Sequence, residues 1–206
     1  MNVFDYNYIK YDSWFEKHPK IYKNELNMLS SFIDKNSFGL EIGVGTGRFA
    51  EYLNTNIGID ISLNMLKISK DKGIEVLLAN GEKLPFNDSV FDYVLMIVTI
   101  CFIKNPEAAL LESRRVLKSK GKIYIAFIDK NSMYGKYYNK IKLKNLFYAD
   151  AHFYSIKELE EKLVSSRFVI NNYAQTLFYP PGIEKEENWK YGFGEGSFLL
   201  IVAEKS

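Results

Sequence analysis

The chain has 206 residues, with 27 basic and 25 acidic side chains and a formal net charge of +2. This length predicts one domain, and the near balance of charge gives no general attraction to nucleic acid or anionic membranes. The single cysteine, Cys101, excludes an internal disulfide framework and fits a reducing compartment. The N-terminus lacks a secretory pattern and no apolar run approaches the roughly 20 residues that span a bilayer, so we expect a cytoplasmic protein without a membrane span.

The first predicted element is an N-terminal helical cap, in which aromatic residues recur at helical spacing. Five short apolar runs follow and are typical of buried strands. They cover residues 38–42, 56–60, 75–79, 91–98 and 122–128.

Two segments between these runs have helical spacing. One, 62–72, begins with Ser62 as an N-cap, and the other, 106–118, carries Pro106 in its first turn. Apolar strands that alternate with helices predict a parallel sheet covered on both faces. Right-handed crossovers then give a doubly wound arrangement.

The pattern changes after the fifth strand. A segment rich in lysine and tyrosine predicts a lid insertion, Ser155 caps a further helix, and two strands at 168–176 and 197–204 close the sheet. The predicted fold is a Rossmann-like, doubly wound α/β domain with a mostly parallel, seven-stranded sheet and an antiparallel last strand. Its single domain, 1–206, divides into the helical cap (1–37), a cofactor-binding core (38–128), the lid (129–154) and the closing helix and strands (155–206).

A glycine-rich loop follows the first strand and opens a helix. Gly43, Gly45 and Gly47 allow a sharp turn and close approach of a ligand, and the helix N-terminus offers free N–H groups. Asp60 ends the second strand, where an acid can accept hydrogen bonds from ribose hydroxyls. This unit indicates an adenosine-containing ligand.

Two ligand classes fit that unit. Residues 45–50, GTGRFA, also satisfy the dinucleotide fingerprint, so an NAD(P)-binding oxidoreductase is an alternative. Glu41, directly before the glycines, disfavours a pyrophosphate and suits a ligand with a sulfonium and an amino acid group. A Walker phosphate loop is excluded because no Gly-Lys-Ser/Thr follows.

Five segments in order carry a family resemblance. They are LEIGVGTGRFA (40–50), GIDIS (58–62), NGEKLPF (80–86), FDYVLMIVTICFI (91–103) and RRVLKSKGKIYIAF (114–127). With them, residues 10–206 resemble a class I S-adenosylmethionine-dependent methyltransferase of the small-molecule, ubiquinone/menaquinone-biosynthesis-like type.

The resemblance implies S-adenosyl-L-methionine as cofactor, with S-adenosyl-L-homocysteine as product, and no metal. Asn80 stands where the family usually has an acid, and its carbonyl can still accept a hydrogen bond. The implied cofactor-binding residues are Glu41, Gly43, Gly45, Gly47, Asp60, Ile61, Asn80, Gly81, Glu82 and Val98, with Tyr11 and Trp14 from the N-terminal cap.

Methyl transfer by in-line displacement needs placement more than a base. The chain offers two candidate general bases, His18 and His152. Only 8 of the 32 aromatic residues lie within 39–128, so the rest concentrate in the predicted cap, lid and closing segments. This predicts a small, apolar or aromatic acceptor in a pocket walled by Phe102, Tyr134, Tyr138, Phe178 and Tyr179.

The alternative acceptor is RNA or protein. Residues 134–148 combine lysines with tyrosines, as single-stranded nucleic-acid sites do. The low net charge and the excess of 23 Lys over 4 Arg argue against phosphate recognition, so nucleic acid is not expected as a partner. The sequence leaves the oligomeric state open.

Overall fold

The computed structural model describes residues 3–206. Its helices are α1 (Val3–Lys17), α2 (Pro19–Ser30), α3 (Arg48–Leu53), α4 (Leu63–Asp71), α5 (Pro106–Val116), α6 (Met133–Ile141) and α7 (Ile156–Ser165). Its strands are β1 (Gly39–Ile42), β2 (Ile57–Asp60), β3 (Glu75–Leu78), β4 (Phe91–Ile97), β5 (Leu117–Ile128), β6 (Phe168–Thr176), β7 (Lys190–Tyr191) and β8 (Phe198–Lys205). Short 3₁₀ turns occupy Ile100–Phe102 and Lys142–Lys144.

All strands belong to one sheet in the order β3-β2-β1-β4-β5-β8-β6-β7. Strands β1 to β5 pair in parallel, and β8 lies antiparallel between β5 and β6. The predicted Rossmann-like fold with an antiparallel last strand is therefore confirmed. The sheet has eight strands rather than seven, because the two-residue β7, in the segment between β6 and β8, pairs with β6 at the edge of the sheet.

Local sequence signals set several helix starts. The Ser62 hydroxyl accepts a hydrogen bond from the Met65 amide at the start of α4, and Asn105 caps α5 in the same way before Pro106. Ser155 and Glu158 form a capping box at α7.

The central strands of the sheet are buried on both faces, whereas β3 at one edge is largely exposed. Along β4, Val94 and Met96 pack with α5 and α7, whereas Tyr93, Leu95 and Ile97 pack on the side of α2. This alternation follows from the two-residue period of a strand and explains why β4 is apolar along nearly its whole length.

Helix α1 packs against α4 and α2 near the carboxyl ends of the parallel strands, where polar contacts hold it. The Arg48 guanidinium at the start of α3 donates to the Asp12 carboxylate, and the Ser62 hydroxyl donates to Asp5 at 2.6 Å. The segment before β8 is tied to α2, since the Asn24 amide donates to the Lys185 carbonyl at 2.8 Å.

Within residues 3–206, no helix is long and apolar enough to cross a membrane.

Candidate functional site

A cavity of about 700 Å³ opens at the carboxyl ends of the parallel strands. It lies where the strand order reverses between β1 and β4, the usual ligand position in doubly wound sheets, and its volume suits a small-molecule site. Helices α1, α2 and α6 and residues 144–148 complete its walls. The lining divides into a polar half at the strand ends and an aromatic half beneath the helices.

The glycine loop adopts the left-handed conformation at all three glycines, with φ between 55° and 77°. Gly43 and Gly45 line the cavity. Gly47 does not line it; a Cβ at this position would lie 2.6 Å from Ser69 Oγ and 2.5 Å from Ile74 Cδ1. Gly47 therefore allows α3 to pack against α4, which differs from the cofactor contact expected from the sequence.

Asp60 ends β2 with its side chain in the cavity lining. Its Oδ2 accepts a hydrogen bond from the Gly45 amide at 2.9 Å, and its Oδ1 accepts one from the Ser62 amide at 2.8 Å. Burial raises the pKa of Asp60, while these backbone amides act in the opposite direction. The fixed carboxylate retains lone pairs that can accept hydrogen bonds from hydroxyl groups in the cavity.

Glu41 lies on β1 between Leu40 and Ile42, which pack in the core on the opposite face of the sheet. Its side chain is buried, and within residues 3–206 Oε2 has no hydrogen-bond partner. Burial and the neighbouring Asp60 raise the pKa of Glu41 well above its ordinary value. Glu41 is not in the cavity lining, which differs from the cofactor contact expected from the sequence.

The remaining strand-end residues of the prediction lie in the lining. They are Ile61, Asn80, Gly81, Glu82 and Val98, and Thr99 joins them. The Asn80 carbonyl oxygen accepts from the Glu82 amide at 3.0 Å. Glu82 in turn accepts from the amides of Lys104 and Asn105, so its carboxylate holds the segment after β4.

Tyr11 of α1 lies at the junction of the two halves. Its Cε1 atom is 3.6 Å from the position of a Cβ on Gly45, and its ring packs edge-on against Phe4 and Phe147. Burial raises the pKa of Tyr11, and the charges of Asp60 and Glu41 add to this. Trp14 also lines the cavity, as expected from the sequence.

The aromatic half contains Phe102, Tyr134 and Tyr138 from the predicted acceptor pocket. Tyr138 packs against Tyr148 with ring centroids 4.8 Å apart. Phe4, Phe147 and Tyr148 also line this half, and the sequence reasoning did not single them out.

Phe178 and Tyr179 lie outside the cavity lining, contrary to the expectation that they wall the pocket. The Phe178 amide donates to Glu187 Oε1 at 2.9 Å, which turns the chain away after Leu177. Leu177 itself reaches the cavity, and Tyr179 borders a separate, much smaller pocket.

Neither histidine lies in the cavity lining, so the structure does not place His18 or His152 where a general base would act. His18 pairs with Glu184 and its ring packs on Trp14. His152 is exposed, with its ring against Tyr154 at 4.5 Å. Within the described chain, residues 3–206, no cluster of three His, Cys, Asp or Glu side chains suits a metal ion.

Sequence reasoning also missed Glu25. This carboxyl is only 5% exposed and lines the cavity from α2, one turn after Ile21. Burial raises the pKa of Glu25 to about 8. The available signal was the position of an acid among the apolar residues of an amphipathic helix, four residues after Ile21 and four before Leu29.

We expect Gly43→Ala to destabilise the protein. A Cβ at Gly43 would lie 2.4 Å from Thr99 Cγ2, and its φ of 74° is unfavourable for alanine. Left-handed strain and overpacking together give a loss of roughly 2–5 kcal/mol in the free energy of unfolding, measurable by urea denaturation.

Gly73→Ala is the matched control, since Gly73 has a φ of 83° and nothing within 4 Å of a Cβ. It should lose only the strain contribution, about 1–2 kcal/mol. Adding Thr99→Ala to Gly43→Ala should recover part of the stability. Equal losses in the two glycine variants would contradict the proposed contact with Thr99.

Comparison with known proteins agrees with this geometry. The family model described as a methyltransferase domain matches residues 40–125. An uncharacterized protein of Methanocaldococcus jannaschii is 46% identical over 205 residues, covering all of both chains. A ubiquinone/menaquinone biosynthesis C-methyltransferase of Cupriavidus taiwanensis is 36% identical over 104 residues, which are 44% of this chain and 43% of that protein.

Among solved structures, a Thermotoga maritima protein superposes with a TM-score of 0.95 at 38% identity. The superposition covers 99% of this chain and 98% of the other. That protein is described as an S-adenosylmethionine-dependent methyltransferase, possible histamine N-methyltransferase.

Proposed function

The chain belongs to the class I S-adenosylmethionine-dependent methyltransferases, and on that premise we propose that it methylates a small, apolar or aromatic acceptor in the cavity above β1 and β4. The observation that carries this proposal is the two-part lining of the cavity. The polar half at the strand ends and the aromatic half beneath the helices belong to one continuous cavity. A donor and a small acceptor can therefore meet there.

The polar half fits S-adenosylmethionine. Asp60 lines the cavity, where its carboxylate can accept hydrogen bonds from the ribose hydroxyls. Gly43 and Gly45 allow the methionine part of the cofactor to approach the backbone. The carboxyl groups of Asp60 and Glu82 in the lining give this end hydrogen-bond acceptors that suit a cationic ligand. The same carboxylates disfavour a pyrophosphate, so the structure supports the sulfonium ligand over a dinucleotide.

S-adenosylmethionine, when bound, would supply a methyl group on a sulfonium. The electron pair of the sulfur–methyl bond would return to sulfur as a lone pair of the acceptor forms the new bond to the methyl carbon. The residues of this chain supply placement. Tyr11 covers the glycine loop, and Phe102 and Val98 border the passage from the strand ends to the aromatic half. Neither histidine reaches the cavity, so we infer that positioning and exclusion of water carry the step without a histidine base.

A small acceptor is favoured over RNA or protein by the position of the aromatic rings. Tyr134 is buried, and Tyr138 and Tyr148 are largely covered by neighbouring rings. Rings that stack on nucleic-acid bases must instead be presented on an open surface. The cap and the lid enclose them here.

Ligand binding, measured by titration calorimetry and by thermal unfolding, tests the proposed function. We expect S-adenosylhomocysteine to bind to the wild-type protein and raise its melting temperature, whereas NAD⁺ leaves it unchanged. A shift produced by NAD⁺ and not by S-adenosylhomocysteine would refute the proposal. Incubation with labelled S-adenosylmethionine and a panel of small metabolites then identifies the acceptor.

A further inference from the structure

The aromatic half of the cavity contains one buried carboxyl, that of Glu25. This side chain is 5% exposed, and within residues 3–206 no hydrogen bond or ion pair joins its carboxyl to another protein group. A carboxyl that is largely buried and has no protein partner takes its hydrogen bonds from whatever fills the cavity that it lines. An unsatisfied acid that faces a ligand cavity is therefore a position that a ligand can complete.

Aromatic side chains surround this acid. Tyr11, Tyr134, Tyr138 and Tyr148 line the same cavity as Glu25, and the Glu25 charge is among the causes that raise the pKa of each tyrosine. Burial, followed by the Glu25 charge, raises the pKa of Tyr134 to about 12. A carboxylate among aromatic rings is the combination that binds an ammonium group, because the ring faces attract cations as well.

Other charges around the cavity do not neutralise Glu25. Lys10 and Lys17 of α1, Lys104 after β4 and Lys144 of the lid line the same cavity, but all four are exposed and none pairs with Glu25. The remaining acids of the lining, Asp60 and Glu82, belong to the strand-end half. The aromatic half thus has cations at its rim and the Glu25 carboxyl on the side of α2.

We propose that Glu25 recognises a positively charged amine on the methyl acceptor, so that the acceptor class is a small amine carrying an apolar or aromatic body. The proposal deepens the function above and rests on it. An ammonium group stabilises the ionised form of Glu25 and pairs with it, and the apolar body packs against Tyr134, Tyr138 and Phe102. Because an ammonium has no lone pair, the methyl group is then received by another atom of the acceptor. Discrimination against a neutral or anionic analogue then comes from leaving Glu25 unpaired or placing it beside a like charge.

The test uses the full chain saturated with S-adenosylhomocysteine and three matched probes, phenethylamine, 2-phenylethanol and phenylacetate. Calorimetry should show that phenethylamine binds about 10- to 100-fold more tightly than 2-phenylethanol, the range expected for a hydrogen bond to a charged group. Glu25→Gln, which keeps the shape of the side chain, should remove this preference while leaving the affinity for 2-phenylethanol unchanged. Glu161→Gln on the exposed face of α7 makes the same change of charge and should behave as wild type.

The outcomes separate the two proposals. Failure of S-adenosylhomocysteine to bind to wild type would refute the proposed function itself. Binding of S-adenosylhomocysteine without any preference for phenethylamine, or with a preference for phenylacetate, would overturn the amine inference alone. An unchanged preference in Glu25→Gln would assign amine recognition elsewhere and overturn the role of Glu25. Normal S-adenosylhomocysteine affinity in Glu25→Gln shows that this variant is folded.

Discussion

Asp60→Asn should weaken binding of S-adenosylhomocysteine by about 10²- to 10⁴-fold, because two hydrogen bonds to a charged group contribute roughly 1.5–3 kcal/mol each. Asparagine keeps one oxygen acceptor and replaces the other with a donor. In wild type both oxygens already accept from backbone amides, those of Gly45 and Ser62. The amide therefore loses a loop contact as well as its negative charge.

Isothermal titration calorimetry on wild type, Asp60→Asn and Asp71→Asn measures this effect. Asp71 is exposed at the end of α4 and does not line the cavity, so its variant should bind as wild type. An analogue without the two ribose hydroxyls separates ribose recognition from loop damage. Wild type and Asp60→Asn should bind that analogue with similar, weak affinity, and a large difference between them would assign Asp60 to the loop alone.

The second large effect is a pH dependence of stability that Glu25→Gln removes. Burial raises the pKa of Glu25 from an ordinary value of 4.5 to about 8, so the folded protein binds this proton more tightly than the unfolded chain. The stabilisation is complete below the unfolded pKa and is lost as pH rises through the folded pKa. Between these limits the free energy of unfolding should fall by up to ~1.4 kcal/mol per pH unit from this group.

Urea denaturation at several pH values between about 5 and 8 measures the slope. Glu25→Gln should show a flatter profile than wild type and should be the more stable protein at the upper end. Glu41, whose pKa is also raised, contributes a slope of the same sign in both proteins, so the difference isolates Glu25. Glu161→Gln should retain the wild-type slope; parallel profiles for wild type and Glu25→Gln would contradict a buried, unpaired acid at this position.

The part of the site at the strand ends was predictable because its residues lie close together in the sequence. The glycine loop and Asp60 lie within one strand–loop–helix–strand unit, and parallel pairing of β1 with β2 brings them together. The caps at Ser62 and Ser155 were likewise predicted from the sequence. Boundaries were less certain, since β5 begins at Leu117 and pairs there with Phe91 before the expected start at Lys122.

Side chains from distant segments were harder to place. Phe178 and Tyr179 follow Leu177 directly, yet only Leu177 reaches the cavity, because the Thr176 and Phe178 contacts to Glu187 turn the chain. His18 and His152 have the chemistry of bases but pair or pack outside the lining. Residue type indicated the chemistry of these side chains, and the direction of the backbone decided whether they face the cavity.

By itself, the sequence determined the fold class and the chemistry of the strand-end half, since hydrophobic periodicity and a short glycine motif act over neighbouring residues. The tertiary structure alone decided which aromatic residues line the aromatic half of the cavity and that Glu25 lines it with no hydrogen-bond or ion-pair partner among residues 3–206. The sequence of α2 shows only that Glu25 is an acid on the apolar face of the helix. The consequence of that acid depends on what α1, α6 and the segment after α6 place opposite it, and those contacts join residues far apart in the chain.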